Sequence, residues 1–113
     1  MDTSIVCVKK AALNERGIEN FAAWNALTNT LYIGRNMSFY PALRGATGSK
    51  WKNPFSVKKY GLDKCLKLYR EHVESSDLIN DLEELRGKEL GCWCAPNKCH
   101  GDILIQLLEE NVV

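Results

Sequence analysis

Three cysteines and a histidine lie close together near the end of the chain, and their side chains are able to bind metal. Cys92, Cys94, Cys99 and His100 occur within nine residues, in the spacing C-x-C-x4-C-H. Four such soft or borderline ligands are enough for a tetrahedral zinc site, although zinc sites more often use C-x2-C pairs. Zinc is therefore one interpretation of this segment.

Two other interpretations stay open for the same side chains. Cys99 stands where the last helix is expected to begin. A helix N-terminus favours the thiolate, so Cys99 assisted by His100 can act as a nucleophile or a redox thiol. Cys92 and Cys94 are two apart on an expected strand and share one of its faces, where free cysteines are often simply buried. Burial, metal binding and thiol catalysis all remain, with metal binding favoured over catalysis.

Asp102 follows directly and has two interpretations of its own. As the N-cap of the last helix, it would accept hydrogen bonds from unpaired backbone N–H groups. As a carboxylate facing the site, it would act as a general base or hold a ribose hydroxyl. Capping is the favoured role.

A second segment combines basic residues with glycines and lacks acids. Residues 34–60 contain no Asp or Glu, and the first part of the segment carries Arg35, Arg44, Lys50 and Lys52. Arg and Lys supply charge-assisted donors for phosphate or carboxylate, and glycine lets backbone N–H groups approach a ligand closely. We expect Gly34, Arg35 and Lys50 to contact an anionic ligand. The alternative is a solvated surface loop.

Two further residues of this segment suit a nucleotide-like ligand. Trp51 can stack on a base, and Asn53 offers the donor and acceptor needed to read a base edge or a ribose. The alternative for Trp51 is a place in the hydrophobic core.

The hydrophobic pattern predicts the elements that position these segments. Short β-rich runs predict strands at residues 4–8, 30–33 and 89–94. Helical spacing predicts a short helix within residues 18–27 and an amphipathic helix with one face formed by Leu62, Cys65, Leu66, Tyr69 and Val73. Ser75 or Ser76 is expected to cap a further helix that ends near Gly87, and a last helix follows Asp102.

Strands separated by helical segments favour parallel βαβ units. We therefore predict the α/β class, with residues 1–113 forming a single small Rossmann-like three-layer domain around a short, mostly parallel sheet. Three strands make a small sheet, which we expect a fourth short strand or a homodimer to complete. Ligands gather beyond the carboxyl ends of parallel strands, so residues 34–55 and 92–102 should meet at one rim.

The composition is that of an ordinary globular domain. Apolar residues make up 45% and charged residues 26%, and the net charge of +1 gives no argument for nucleic acid or membrane binding by the whole molecule. The N-terminal residues do not resemble a secretory signal, and no apolar run approaches the ~20 residues that span a bilayer. The odd count of five cysteines argues against a disulfide framework. We expect a cytoplasmic protein with no membrane partner.

Four motifs occur in a fixed order, namely YIGR, GSKWKNPF, ELRGKELGCWC and APNKCHGDIL. Together they resemble a family of bacterial, phage and large-virus proteins, domain of unknown function 4326, over roughly residues 30–108. The family form W-G-N-P-F differs at one position, where this chain has Lys52. The resemblance implies that the same two segments define the family and, for a viral member, a place in the host cytoplasm. It implies no particular mechanism.

The leading hypothesis is a site for a small anionic, nucleotide- or nucleoside-type ligand. If the protein is an enzyme, hydrolysis or transfer at a glycosidic or phosphate bond suits a basic loop facing a carboxylate. The first alternative is a zinc-stabilised module that binds nucleic acid. The second is a viral or phage interaction protein that modulates a host factor through its loop aromatics.

Overall fold

The computed structural model describes residues 3–93 and 98–111. Strand β1 (Ser4–Cys7) is followed by helices α1 (Lys10–Glu15) and α2 (Phe21–Asn25), and strand β2 (Thr30–Tyr32) comes next. A long segment with one 3-10 turn at Pro41–Leu43 leads to α3 (Val57–Tyr60) and α4 (Leu62–Ser75). A 3-10 helix (Asp77–Leu85), strand β3 (Glu89–Cys92) and helix α5 (His100–Glu110) complete the described chain.

The three strands form one parallel sheet in the order β1-β3-β2. The last strand in sequence is therefore central, with Cys7 opposite Cys92 on one side and Tyr32 opposite Gly91 on the other. The pairing with β1 ends at Cys92 and the pairing with β2 ends at Gly91. Strand β3 therefore ends at Cys92 instead of continuing to position 94. The prediction of a parallel α/β fold is confirmed, and three strands are present within residues 3–93 and 98–111.

Hydrophobic residues cover both faces of the sheet. On one face, Leu90 and Cys92 pack against α4, α5 and the 3-10 helix, with Tyr69, Leu85 and Leu104 fully buried. On the other face, α1 and α2 contribute a second cluster that contains Leu13, Phe21, Trp24 and Tyr32. Because side chains alternate along each strand, Leu90 and Cys92 of β3 face the first cluster, while Gly91 lies against Trp24 and Val8 of the second. The sheet therefore lies between two helical layers.

The amphipathic helix predicted around Leu62–Val73 is confirmed as α4, and Cys65, Tyr69 and Val73 are its buried residues. The Ser76 hydroxyl caps the following 3-10 helix by accepting a hydrogen bond from the Leu78 N–H. The predicted helix in residues 18–27 is shorter, because Asn20 caps α2 and the helix ends at Asn25. Among the described helices, none combines the length and the apolar character needed to span a bilayer.

Candidate functional site

A pocket of about 500 Å³ opens at the carboxyl ends of β2 and β3. Gly34, Arg35 and Asn53 line it from the segment after β2, and Cys92, Cys99 and His100 line it from the end of β3 and the start of α5. The two segments that the sequence predicts at one rim therefore share one cavity. Ligand pockets commonly have this size and this position in parallel sheets.

The turn after β2 is held in place by a chain of hydrogen bonds. The Trp93 indole N–H donates to the Tyr32 hydroxyl at 2.8 Å, and that hydroxyl donates to the Arg35 carbonyl at 2.7 Å. The Tyr32 ring lies so close that a Cβ on Gly34 would come within 2.4 Å of the hydroxyl. Gly34 is therefore required by the packing of Tyr32, and Arg35 enters the pocket wall from a fixed backbone.

The first turn of α5 forms the opposite wall. Cys99 is the N-cap: its sulfur accepts the Gly101 N–H at 3.3 Å, while the Asp102 carboxylate accepts the Cys99 N–H at 2.9 Å. The helix thus begins earlier than an Asp102 N-cap predicts, and Asp102 closes a reciprocal capping box from inside the first turn. Asp102 is absent from the residues that line the pocket.

His100 is buried at the base of the pocket, with 8% of its surface exposed. Its Nε2 atom donates to the Ile33 carbonyl at 2.8 Å, which leaves Nδ1 unprotonated. Within the described residues no hydrogen bond uses Nδ1, and His100 is one of the residues that line the pocket. Burial lowers the pKa of His100 below its ordinary value, and the Arg35 charge lowers it further against an opposing backbone hydrogen bond. A lowered pKa favours the neutral imidazole, in which Nδ1 carries a lone pair.

Cys92 and Cys99 lie side by side beneath the same cavity. Their sulfurs are 3.4 Å apart, and both residues are almost fully buried. The predicted zinc set also includes Cys94, which lies outside the described residues. Within residues 3–93 and 98–111, no group of three or more His, Cys, Asp or Glu side chains is arranged to hold a metal ion. Zinc therefore stays a prediction.

Asn53 lines the pocket, but its amide is already committed. Its oxygen accepts the Phe55 N–H at 2.9 Å, and its nitrogen donates to the Cys65 sulfur at 3.1 Å. These bonds tie the segment after β2 to helix α4 and place the Phe55 ring on the pocket wall. Asn53 thus shapes the wall, while the second N–H and the second oxygen lone pair of its amide have no partner among the described residues.

Lys50 and Trp51 lie elsewhere. Lys50 donates to the carboxylates of Asp81 and Glu84, each at 3.0 Å, and these hydrogen bonds raise its pKa. Trp51 is 1% exposed and donates its indole N–H to Glu84 at 2.8 Å. Its ring has no open face for a base. Trp51 is therefore a core residue, which is the alternative that the sequence pattern left open. Neither residue lines the pocket.

The pocket wall contains positive charge and no carboxylate. Arg35, Lys58 and Lys98 line it, and no Asp or Glu stands among its described lining residues. None of these three cations forms an ion pair with another described residue, whereas Arg16, Lys50, Arg70 and Arg86 all do. Unpaired cations around an acid-free cavity create a local attraction for anions that the net charge of +1 conceals.

Sequence reasoning missed Lys58, Lys98 and the apolar part of the wall. The missed apolar wall is formed by Met37, Phe55, Val57, Leu62, Leu66 and Trp93. Both cations could have been found from the sequence, because Lys58 lies in the acid-free residues 34–60 and Lys98 directly precedes Cys99. The apolar residues had no such signal, because the sequence pattern does not separate a pocket wall from the core: Leu62 and Leu66 lie on the apolar face predicted for α4.

Comparison with known proteins identifies relatives in viruses. The family model described as "Domain of unknown function (DUF4326)" matches residues 18–110. An uncharacterized protein of Acanthamoeba polyphaga mimivirus is 43% identical over 88 residues, which cover 68% of this chain and 65% of that protein. An uncharacterized 12.4 kDa protein from the nrdA-td intergenic region of Enterobacteria phage T4 is 30% identical over 68 residues, which cover 56% of this chain and 63% of that protein.

The matched part of the chain thus spans just under two thirds of the length of each of these relatives. No solved structure matches the chain significantly. The family match includes both segments that form the pocket and all elements from α2 to α5. The chain belongs to the DUF4326 family.

Proposed function

We propose that the pocket at the carboxyl ends of β2 and β3 binds a small anionic ligand of the nucleotide or nucleoside type. The observation that supports this most directly is a set of three cations that form no ion pair with any described residue, on a cavity wall that has no described carboxylate. Arg35 lines the cavity from the segment after β2, Lys98 from the residues just before α5, and Lys58 from α3. Such cations favour phosphate through charge-assisted hydrogen bonds.

The rest of the wall suits a flat, partly apolar group attached to that anion. Phe55 and Trp93 contribute rings, and Met37, Leu62 and Leu66 contribute aliphatic surface. A cavity of about 500 Å³ is large enough for a base and a sugar. An apolar wall with a few fixed polar groups is the usual composition of a small-molecule site.

Catalysis in this site would use His100. His100 lines the cavity, and the bond from Nε2 to the Ile33 carbonyl fixes the ring and leaves Nδ1 as the nitrogen that can accept a proton. A neutral imidazole in this position can accept a proton from water during hydrolysis of a glycosidic or phosphate bond. Asp102, the carboxylate expected for that role, is occupied in the capping box instead.

The test is a thermal-shift screen with mononucleotides, nucleosides, nucleotide sugars and inorganic phosphate. A ligand that binds only the folded protein stabilises it by about 2.7 kcal/mol at a concentration of 100 Kd, so the Tm rises by several degrees. Arg35→Gln should reduce the affinity of a phosphorylated ligand about tenfold. Lys88→Gln, which removes one charge just before β3 at the amino end of the sheet, away from the pocket lining, should leave it unchanged.

His100→Gln separates binding from catalysis, because a glutamine amide can still donate to the Ile33 carbonyl but provides no base. It should retain ligand-induced stabilisation and lose any turnover detected by chromatography of the products. The proposal fails if no compound in the panel raises the Tm, or if Arg35→Gln and Lys88→Gln bind the stabilising compound equally well.

A further inference from the structure

A second depression adjoins the pocket and shares part of its wall. It measures about 400 Å³ and is lined by Arg35, Lys52, Asn53, Pro54, Phe55 and Ser56. Arg35, Asn53, Phe55 and Ser56 line both cavities. A ligand seated in the pocket can therefore continue into the depression past Phe55 and Arg35 without leaving the protein surface.

The two cavities differ in depth. The pocket has a buried floor that includes Gly34, Cys92, Cys99 and His100. The depression has no fully buried residue in its lining, and Lys52, Pro54 and Ser56 are exposed. One unit of a ligand would be enclosed, while the next would lie on an open surface. A dinucleotide cofactor with two enclosed halves fits this arrangement poorly, whereas a chain that continues into solvent fits it well.

Positive charge and an aromatic ring line the route from the pocket to the depression. Lys52 adds a cation that lines only the depression and forms no ion pair with any described residue. Phe55 lies between the two cavities, and its ring is held edge-on by Tyr60 and His72 at 6.0 Å. Single-stranded nucleic acids are bound by this combination of cations along the backbone and an aromatic ring against the bases.

We infer that the site binds the end of a single-stranded nucleic acid, with one nucleotide in the pocket and the next on the depression beside Lys52. This inference rests on the proposed function, because the enclosed nucleotide occupies the same pocket. It adds a substrate class, namely a polynucleotide strand, and assigns Lys52 a role that a mononucleotide would not require. Lys52 would contact the phosphate that joins the two units.

The test compares fluorescein-labelled hexamers of deoxyadenylate, thymidylate, adenylate and uridylate with the matching monophosphates. Anisotropy gives the affinity of each hexamer, and competition gives that of each monophosphate. We expect the best hexamer to bind at least tenfold more tightly than its monophosphate. The deoxyribose and ribose hexamers show whether DNA or RNA is preferred.

Lys52→Gln provides the sharper measurement. It should weaken hexamer binding several-fold, leave the monophosphate affinity unchanged, and reduce the slope of log K against log salt by about 0.7 for the lost phosphate contact. Lys88→Gln is the matched control and should change neither affinity.

The outcomes separate the two proposals. If monophosphates bind but hexamers bind no more tightly, or if Lys52→Gln and Lys88→Gln behave alike, the strand inference is wrong and the proposed function stands. If neither monophosphates nor hexamers bind, the proposed function fails and the inference fails with it.

Discussion

Single residues in this protein serve local packing even where their types suggest chemistry. Gly34 gives room to the Tyr32 ring, and Asp102 and Cys99 complete each other's hydrogen bonds at the start of α5. Trp51 lies in the core, where its carbonyl accepts the buried Tyr69 hydroxyl at 2.7 Å. What remains available to a ligand is a smaller set, chiefly Arg35, the neighbouring lysines and the Nδ1 atom of His100.

Gly34→Ala tests whether the wall depends on the close approach of Tyr32. The added Cβ would meet the Tyr32 hydroxyl at 2.4 Å and break its contact with Trp93 or with the Arg35 carbonyl. We expect a loss of about 1–3 kcal/mol in the free energy of unfolding measured in urea, because the ring has no free space to move into.

Gly48→Ala is the matched control for that substitution. Its Cβ would find its nearest neighbour at 3.5 Å, an ordinary contact, so the free energy of unfolding should change by less than about 0.5 kcal/mol. Equal effects of the two substitutions would show that Tyr32 does not hold the turn.

At the scale of elements, the first residue of the central strand forms hydrogen bonds with the N-terminal helical region. Glu89, the first residue of β3, accepts two hydrogen bonds from Arg16 beyond α1, at 3.2 and 2.9 Å, and one from the Trp24 indole of α2, at 3.1 Å. The Glu89 N–H donates to the Asn29 carbonyl just before β2. One carboxylate thus links the N-terminal helices to the amino end of the sheet, opposite the pocket.

This link predicts a dependence of stability on pH. The Arg16 hydrogen bonds hold the pKa of Glu89 below its ordinary value of 4.5, with a smaller contribution from Trp24 and against an opposing effect of burial. A carboxylate whose pKa is lowered by folding stabilises the protein above its unfolded pKa, and this stabilisation is lost as the pH falls through the folded pKa. Glu89→Gln should therefore lower the free energy of unfolding at about pH 7 and have a smaller effect at about pH 3.

Because the Arg16–Glu89 pair is partly exposed, the difference should be about 0.5–1 kcal/mol. Urea unfolding at both pH values measures it. Glu109→Gln on the outer face of α5, in none of the described ion pairs, provides the comparison. An effect of Glu89→Gln that is as large at acidic pH as at neutral pH would contradict the assigned charge interaction.

The elements were largely predictable from the sequence, and the partners of individual charges were not. The apolar face of α4 and the β-rich runs of the strands depend on neighbours within a few residues, so local patterns were sufficient. The meeting of two loops at one rim followed from strand direction alone. That Lys50 lies outside the pocket lining could not be predicted, because its carboxylate partners, Asp81 and Glu84, are more than thirty residues away in the chain. Only the fold brings such groups together.

At the scale of the whole molecule, charge is segregated although it nearly cancels. Residues 34–60 contain no acid, whereas the acidic side chains of the described ion pairs lie outside that segment. Those ion pairs are solvent-accessible, so each contributes little to stability. The pocket cations, which form no ion pair with any described residue, instead give this region a local positive potential that the near-zero net charge conceals.

This separation predicts different responses of binding and stability to salt. Raising NaCl from about 0.05 M to about 0.5 M shortens the Debye length to a few ångströms and screens the field of Arg35, Lys58 and Lys98 at the cavity mouth. The Kd of a stabilising mononucleotide, measured by calorimetry, should rise several-fold over this range. The Tm of the protein without ligand should change by only a few degrees, since the exposed ion pairs contribute little. Arg35→Gln should bind more weakly at low salt and lose part of this salt sensitivity, whereas Lys88→Gln should retain it. A Kd that does not respond to salt would show that the ligand is held by the apolar wall and not by the cations.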